Sequence, residues 1–149
     1  MKTTLLLCSF VFFTLVNSNV TAQVNRSVKP SLFASYSSKI PASITELERA
    51  FTITAGTDVK FRFSDNFLFN GTVISAVQKY NNLSSVLIKS PAFNNALLCI
   101  SKRINDDNTV TYVGRIINEK YADGYELIKD DAGNYSFTKI KTEDLIQDF

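Results

Sequence analysis

The sequence predicts a mainly β protein: a single antiparallel meander of about seven strands, closed into a barrel or folded as a sandwich. A short α-helix precedes the meander and a short C-terminal helix follows it. Three observations predict this class. Apolar and polar residues alternate with a period of two after Gly56, clusters of Asn, Asp and Gly recur at hairpin spacing, and the pattern of a βαβ unit is missing.

The first predicted element is the short helix. Ser43 is a suitable N-cap, and Glu46 three residues later completes a capping box, in which each side chain accepts a hydrogen bond from the other residue's backbone amide. Gly56 is expected to end the helix. The apolar residues expected on its buried face are Ile44, Leu47 and Phe51.

The strands follow the helix in an unbroken series. In the first, Val59, Phe61 and Phe63 alternate with polar residues, which is typical of a strand with one buried face. Gly71 within the second strand indicates a bulge or a bend. The predicted strands are residues 59–64, 67–79, 85–89, 96–104, 110–118, 125–129 and 135–140.

Three local signals mark turns and the end of the chain. Asn81 and Asn82 suit the left-handed conformations of a tight hairpin turn. The segment 130–134 contains Gly133 where a type I turn followed by a glycine bulge requires it. Thr142 is expected to cap the final short helix, which would run through Leu145 and Ile146.

Residues 1–22 have the three parts of a signal peptide. Lys2 supplies the positive charge, Leu5–Val16 the apolar region, and the predicted cleavage follows Ala22. The apolar run is shorter than the roughly 20 residues that a membrane-spanning helix needs. Lipid attachment at Cys8 is disfavoured because Leu7 occupies a position where a small residue is expected. We therefore expect a secreted or periplasmic protein without a membrane span.

Residues 23–42 differ in composition from the rest of the chain. They are rich in serine, contain Pro30 and Pro41, and show little periodicity, which predicts a flexible arm. Three residues of this stretch have side chains able to dock it on the domain: Leu32, Phe33 and Tyr36. Residues 43–149 then form the small β-rich domain.

The composition narrows the possible functions. The chain of 149 residues contains no histidine, which excludes His-based acid–base catalysis, Ser-His and Cys-His nucleophiles and most zinc sites. The net charge of +2 is small, and the basic residues are scattered, so nucleic acid is not an expected partner. Cys99, the one cysteine after the predicted cleavage site, lies in an apolar run and is expected to be a buried core residue.

Acidic residues suggest two kinds of site, each with a simpler interpretation. The segments 105–108 and 130–134 offer oxygen ligands for calcium, but hairpin turns use the same residue types. Glu119, Asp123 and Glu126 are candidates for a glycosidase carboxylate pair, although they equally suit a solvated strand end. The sequence therefore predicts no catalytic, metal-binding or cofactor-binding residue.

One group of residues is a candidate surface for a partner or ligand. Tyr and Arg are enriched in interface hot spots, and a strand glycine permits close approach of a ligand or another backbone. The alternative is that the glycine marks sheet curvature and the tyrosines cover the core. The candidate residues are Tyr112, Gly114, Arg115, Tyr121 and Tyr125.

Three functions remain open from the sequence. The favoured hypothesis is a non-catalytic binding or accessory domain whose target is another protein or an envelope component. The alternative is a carrier that holds a small apolar molecule inside a β-barrel. A carboxylate-dependent hydrolase is a third hypothesis. The oligomeric state is undetermined, and the edge strands of an unclosed meander are able to pair between copies.

Overall fold

The computed structural model describes residues 28–145. The predicted signal peptide and Ile146 lie outside these residues. One α-helix, α1, spans Ile44–Ala50, and short 3-10 turns span Pro91–Phe93 and Thr142–Leu145. Neither α1 nor the 3-10 turns are long enough to cross a membrane. The strands are Lys39–Ala42 (β1), Asp58–Ser64 (β2), Phe67–Tyr80 (β3), Leu83–Ser90 (β4), Ala96–Ile104 (β5), Val110–Ile117 (β6), Asp123–Lys129 (β7) and Tyr135–Lys141 (β8).

The strands form one antiparallel sheet in the order β1-β8-β7-β6-β5-β4-β3-β2. From β2 to β8 every strand pairs with its neighbours in sequence, and β1 is added beside β8. The two ends of the sheet, β1 and β2, lie in contact but form no hydrogen-bonded ladder within residues 28–145. The result is a nearly closed barrel, which confirms the predicted mainly β meander and selects the barrel over the sandwich.

The prediction of a flexible arm is wrong for residues 31–42. Strand β1 lies in this stretch and pairs with β8 from Lys39 to Ala42, so the sheet has eight strands instead of seven. Phe33 is fully buried, and Leu32 and Tyr36 pack against the core, as their apolar side chains allowed. Pro41 is tolerated because β1 is an edge strand, where a missing amide proton removes no ladder bond.

Helix α1 begins as predicted, and two of the three residues predicted for its buried face, Leu47 and Phe51, pack against the core. The Ser43 hydroxyl accepts a hydrogen bond from the Glu46 amide at 3.2 Å. The Glu46 carboxylate binds the guanidinium of Arg49 at 2.7 Å instead of completing the capping box. Leu47 is buried, whereas the side chain of Ile44 is 53% exposed, so its predicted burial is wrong. The helix ends at Ala50, well before Gly56.

Aromatic side chains fill the barrel interior. Phe33 contacts Tyr125 and Phe93 with ring centroids 5.1 and 5.4 Å apart. Phe67 stacks on Phe93 at 5.4 Å, and Phe137 lies 4.9 Å from Phe63 in an edge-to-face arrangement. Because rings from the N-terminal segment and from strands across the barrel meet here, the segment before β1 is part of the core.

Gly71 is required by close packing of two strands. A Cβ atom at this position would lie 2.5 Å from the Lys89 carbonyl oxygen on β4, so no side chain fits. The sequence placed a bulge or bend at this glycine. The register of β3 and β4 instead shifts between Val73 and Ser75 and again between Gln78 and Tyr80.

Of the three predictions made for turns and for the C-terminal segment, one is confirmed and two are wrong. Gly133 has a φ of 85°, as the predicted turn before β8 requires. The left-handed conformations predicted for Asn81 and Asn82 occur instead at three other asparagines: Asn94, Asn95 and Asn108. Thr142 does not cap a helix, because its hydroxyl donates to the Tyr121 carbonyl at 2.7 Å, and the described part of the C-terminal segment is a 3-10 turn.

Candidate functional site

The structure separates the five residues of the predicted partner surface. Along β6, Tyr112, Gly114 and Ile116 face inward and Arg115 faces outward. Tyr112 and Tyr125 are core residues, which is a correction to their assignment to a surface. Gly114 allows close approach of β5, since a Cβ would lie 2.8 Å from the Cys99 carbonyl oxygen.

Only Arg115 and Tyr121 of that group have accessible side chains. Arg115 donates two hydrogen bonds to Glu126 Oε1, at 2.8 and 3.0 Å, across the outer face of β6 and β7. The Tyr121 hydroxyl accepts from the Asn94 side-chain amide at 2.7 Å in a neighbouring loop. The five residues therefore lie on two sides of the barrel wall and do not form one surface.

Tyr125 ties the N-terminal segment to the barrel. Its hydroxyl donates to the Ser37 carbonyl at 2.6 Å, and its ring is fully buried beside Phe33. Burial, followed by the nearby charge of Asp123, raises the pKa of the Tyr125 hydroxyl to about 12. The neutral phenol is therefore the form that the fold stabilises.

This pKa predicts a loss of stability in alkaline solution. An unfolded tyrosine ionises near pH 10, so between about pH 10 and about pH 12 the unfolded state loses its proton first and unfolding becomes more favourable. We expect Tyr125→Phe to be less stable at neutral pH, because its hydrogen bond is lost, but to show a shallower alkaline decline. Urea unfolding at several alkaline pH values measures both effects. Tyr80→Phe, at an exposed position, should retain the wild-type pH profile, and an unchanged slope in Tyr125→Phe would contradict the prediction.

Asp123 is a structural residue rather than part of an accessible carboxylate pair. It is buried at the start of β7 and accepts hydrogen bonds from the Ser31 hydroxyl, the Leu32 amide at 2.6 Å and the Phe33 amide at 3.0 Å. Glu126 is occupied by Arg115, and Glu119 is exposed in the loop between β6 and β7. An open groove of about 650 Å³ adjoins Asp123 and Glu126 but not Glu119.

Glu48 joins α1 to the barrel wall, a contact that sequence reasoning missed. One carboxylate oxygen accepts from Lys102 Nζ on β5 at 2.7 Å, and the other accepts from the Tyr112 hydroxyl on β6. The hydrogen bond from Lys102, followed by that from Tyr112, lowers the pKa of Glu48. Burial and the contact with Glu48 raise the pKa of Tyr112. These bonds hold α1 across one end of the barrel.

The acidic turns use their carboxylates within the turns. Asp107 accepts from the Thr109 amide at 3.0 Å and from its hydroxyl at 2.6 Å. Asp130 accepts from the Asn134 amide at 2.8 Å. These local bonds lower the pKa of both carboxyl groups. In residues 28–145 no three acidic or cysteine side chains cluster in an arrangement suited to a metal ion.

Cys99 is exposed, so its predicted burial is wrong. Ala96, Leu98 and Ile100 occupy the interior face of β5, which leaves Leu97 and Cys99 on the outer face. The continuous apolar run of β5 concealed this alternation.

Strand β3 extends beyond its partner β2 and has an open edge. Asp58, the first residue of β2, pairs with Thr72. The two residues before Asp58 make two further backbone hydrogen bonds to β3. Gly56 N donates to Val73 O at 2.7 Å, and Val73 N donates to Thr57 O at 2.9 Å. Among the described residues, β3 pairs only with β4 from Ser75 to Tyr80. We call residues 75–80 the free edge of β3.

Three large apolar side chains point outward along this end of β3. Val77 is opposite Ser85, and Tyr80 is opposite Leu83, both on the outer face of β4 because Val86 and Ile88 face inward. Ile74 follows the buried Val73 and is itself half exposed. The two register shifts therefore place residues three positions apart on the same face. We call Ile74, Val77 and Tyr80 the apolar stripe.

A groove adjoins the end of the β3–β4 hairpin that carries the free edge. It has a volume of about 340 Å³ and runs between residues 51–55, which follow α1, and residues 76–78 and 84–86 of the β3–β4 hairpin. Thr52, Thr54, Gln78, Ser84 and Ser85 give it uncharged polar walls.

No family model, curated protein or solved structure matches this chain. Its functional assignment therefore depends on its own geometry.

The sequence did contain a signal for the free edge, because the predicted second strand, 67–79, is much longer than the predicted first strand, 59–64. Adjacent antiparallel strands of unequal length leave part of the longer one without a partner on that side.

Proposed function

We propose that this chain is a non-catalytic binding domain of an exported protein, and that it binds an extended segment of a protein partner along the free edge of β3. The observation that carries the proposal is that residues 75–80 pair on one side only and carry two members of the apolar stripe, Val77 and Tyr80. In β-strand addition, main-chain hydrogen bonds to a sheet edge supply affinity and side-chain contacts supply specificity. Export is inferred from the sequence of residues 1–22.

The geometry at the edge favours an extended backbone over other ligands. An open strand edge presents alternating amide and carbonyl groups, and another strand is the ligand that matches this spacing. Because the pairing of β3 on this side stops at Gly56, an added antiparallel strand would continue the line of β2 along β3. Its side chains would meet the apolar stripe on the outer face.

The rest of the molecule supports a surface-binding role. The barrel interior is occupied by contacting aromatic rings, which favours binding at the surface over carriage of an apolar molecule inside. Asp123 and Glu126, two of the candidate hydrolase carboxylates, are engaged in hydrogen bonds to the protein itself. Both observations support binding without catalysis.

Selection from a library of random twelve-residue peptides displayed on phage tests the proposal. We expect enriched peptides that carry β-branched or aromatic residues at alternate positions. Their binding should weaken about tenfold or more in Val77→Lys, because the ammonium group must lose water beside the added strand. The matched control is Ile128→Lys on the outer face of β7, since Val77 and Ile128 are 46% and 44% exposed.

Two results would contradict the proposal. One is failure to enrich any peptide class over an unrelated immobilised β-protein. The other is enrichment of peptides that bind wild-type protein and Val77→Lys equally well. Equal circular dichroism spectra of the wild-type protein and both lysine variants would show that altered binding does not arise from misfolding.

A further inference from the structure

We infer that the partner of the free edge is a second copy of this chain, paired antiparallel about a two-fold axis at Val77. This inference rests on the proposed function, because it names the segment that the free edge binds. A two-fold interface requires a surface that is complementary to itself. Residues 74–80 of β3 have this property in the spacing of their apolar side chains and in their charge.

The apolar stripe is symmetric about Val77. Ile74 and Tyr80 lie three residues from Val77 in opposite directions, and all three side chains are on the outer face. The residues on either side of Val77 pair with residues of the opposite face of β4: Ala76 with Val86 and Gln78 with Ser84.

This symmetry gives an antiparallel pair a matched register. With Val77 opposite Val77 of the second copy, Ile74 lies opposite Tyr80, and Ser75 lies opposite Lys79. A β-branched residue opposite an aromatic one is a favourable cross-strand pair, and two like charges directly opposite one another are not. Lys79 is the one charged residue among positions 74–80, and in this register it faces a serine.

The same arrangement brings the apolar stripes together. A two-fold axis perpendicular to the sheet keeps the outer faces of both copies on one side. Ile74, Val77 and Tyr80 of each copy then form one continuous apolar strip across the joined edges. These side chains are 48%, 46% and 69% exposed in the single chain, so pairing would remove exposed apolar surface as well as satisfy backbone groups.

Analytical ultracentrifugation of the mature protein tests the inference. The protein is compared with two variants that carry opposite charges at position 77, measured alone and mixed. We expect the wild-type protein to dimerise reversibly. Val77→Lys and Val77→Glu should each dimerise at least about tenfold more weakly, because each places two like charges together on the axis. An equimolar mixture of the two variants should regain dimers, since lysine then faces glutamate. Ile128→Lys and Ile128→Glu, alone or mixed, should dimerise as the wild type does.

A disulfide measures the register directly. Directly opposite residues in antiparallel strands have Cα atoms about 4.5 to 5.5 Å apart, within the range that a disulfide bridges. We expect Val77→Cys, made in a Cys99→Ser background because Cys99 is exposed, to oxidise to a covalent dimer. Val113→Cys in the same background, at an exposed position on β6, should remain monomeric on a reducing-agent-free gel.

Two results would overturn the inference. A wild-type protein that stays monomeric at high micromolar concentration would exclude the second copy. If displayed peptides still bound through Val77 in that case, the proposed function would stand without it; if they did not, both would fail. A dimer that forms equally well in Val77→Lys, or that the mixture does not restore, would place the interface elsewhere.

Discussion

Replacing Asp123 with alanine is expected to lower the free energy of unfolding by about 3 to 5 kcal/mol. The buried carboxylate accepts hydrogen bonds from the Ser31 hydroxyl and from the Leu32 and Phe33 amides, so its removal leaves these donors without their acceptor. The carboxylate thereby fixes the point at which the N-terminal segment joins the barrel. Urea unfolding followed by circular dichroism measures the change in unfolding free energy.

The matched control for this substitution is Glu119→Ala in the adjacent loop. Glu119 is exposed, and its removal is expected to change stability by no more than about 0.5 kcal/mol. Asp123→Asn should fall between the two, because an amide has one acceptor oxygen in place of two. Equal stability of Asp123→Ala and Glu119→Ala would show that Asp123 does not hold the segment.

Phe33→Ala is expected to destabilise the fold by about 3 to 5 kcal/mol, the range typical of a phenylalanine deleted from a core. Phe33 is fully buried, and its ring lies within 5.1 to 6.3 Å of four others: Tyr36, Phe67, Phe93 and Tyr125. No single rearrangement can refill a space bounded by rings from the N-terminal segment, the Pro91–Phe93 turn and two strands. Thermal and urea unfolding both measure the loss.

The Phe33→Ala substitution also distinguishes the observed, packed N-terminal segment from the flexible arm that the sequence predicted. In a flexible arm Phe33 would contribute little, and its removal would have little effect on stability. Tyr80→Ala is the control, because it deletes an aromatic ring that is 69% exposed in the single chain. We expect it to change the unfolding free energy of the monomer by about 0.5 kcal/mol or less. Similar effects of the two substitutions would contradict the placement of Phe33 in the core.

Period-two alternation, apolar runs and turn signals together predicted the seven longer strands well. Strand β5 was predicted at its observed bounds, 96–104, and β3 differs from its prediction by one residue. Strand β1 was missed because it has four residues and contains Pro41, features that single-sequence reasoning assigns to loops. Its pairing with β8 is a long-range contact, and no local pattern in residues 39–42 reports it.

The candidate site was predicted less well than the fold, for a related reason. Tyr112 and Tyr125 were selected because tyrosine is common in interfaces, but their strand positions face inward. Cys99 was assigned to the core because every residue from Ala96 to Ile100 is apolar, so the strand's two faces could not be told apart. Residue type alone does not determine the face of a strand; register does.

The sequence did not predict the apolar stripe. Ile74, Val77 and Tyr80 are three residues apart, and on a regular strand such residues alternate between faces. They share a face only because β3 carries two register shifts against β4. The positions of these shifts depend on the strand pairing, which the sequence of β3 does not encode by itself. The unequal lengths of β2 and β3 were the one advance signal of an open edge.

Photo-crosslinking from position 77 is the measurement that most directly tests the central claim, that the free edge of β3 is the binding surface. A benzophenone amino acid at position 77 of the protein, produced in its own host, is compared with the same group at position 128. We predict a discrete crosslinked product from position 77 alone, whose other component mass spectrometry then identifies. No discrete product from position 77, or the same products from both positions, would contradict the claim.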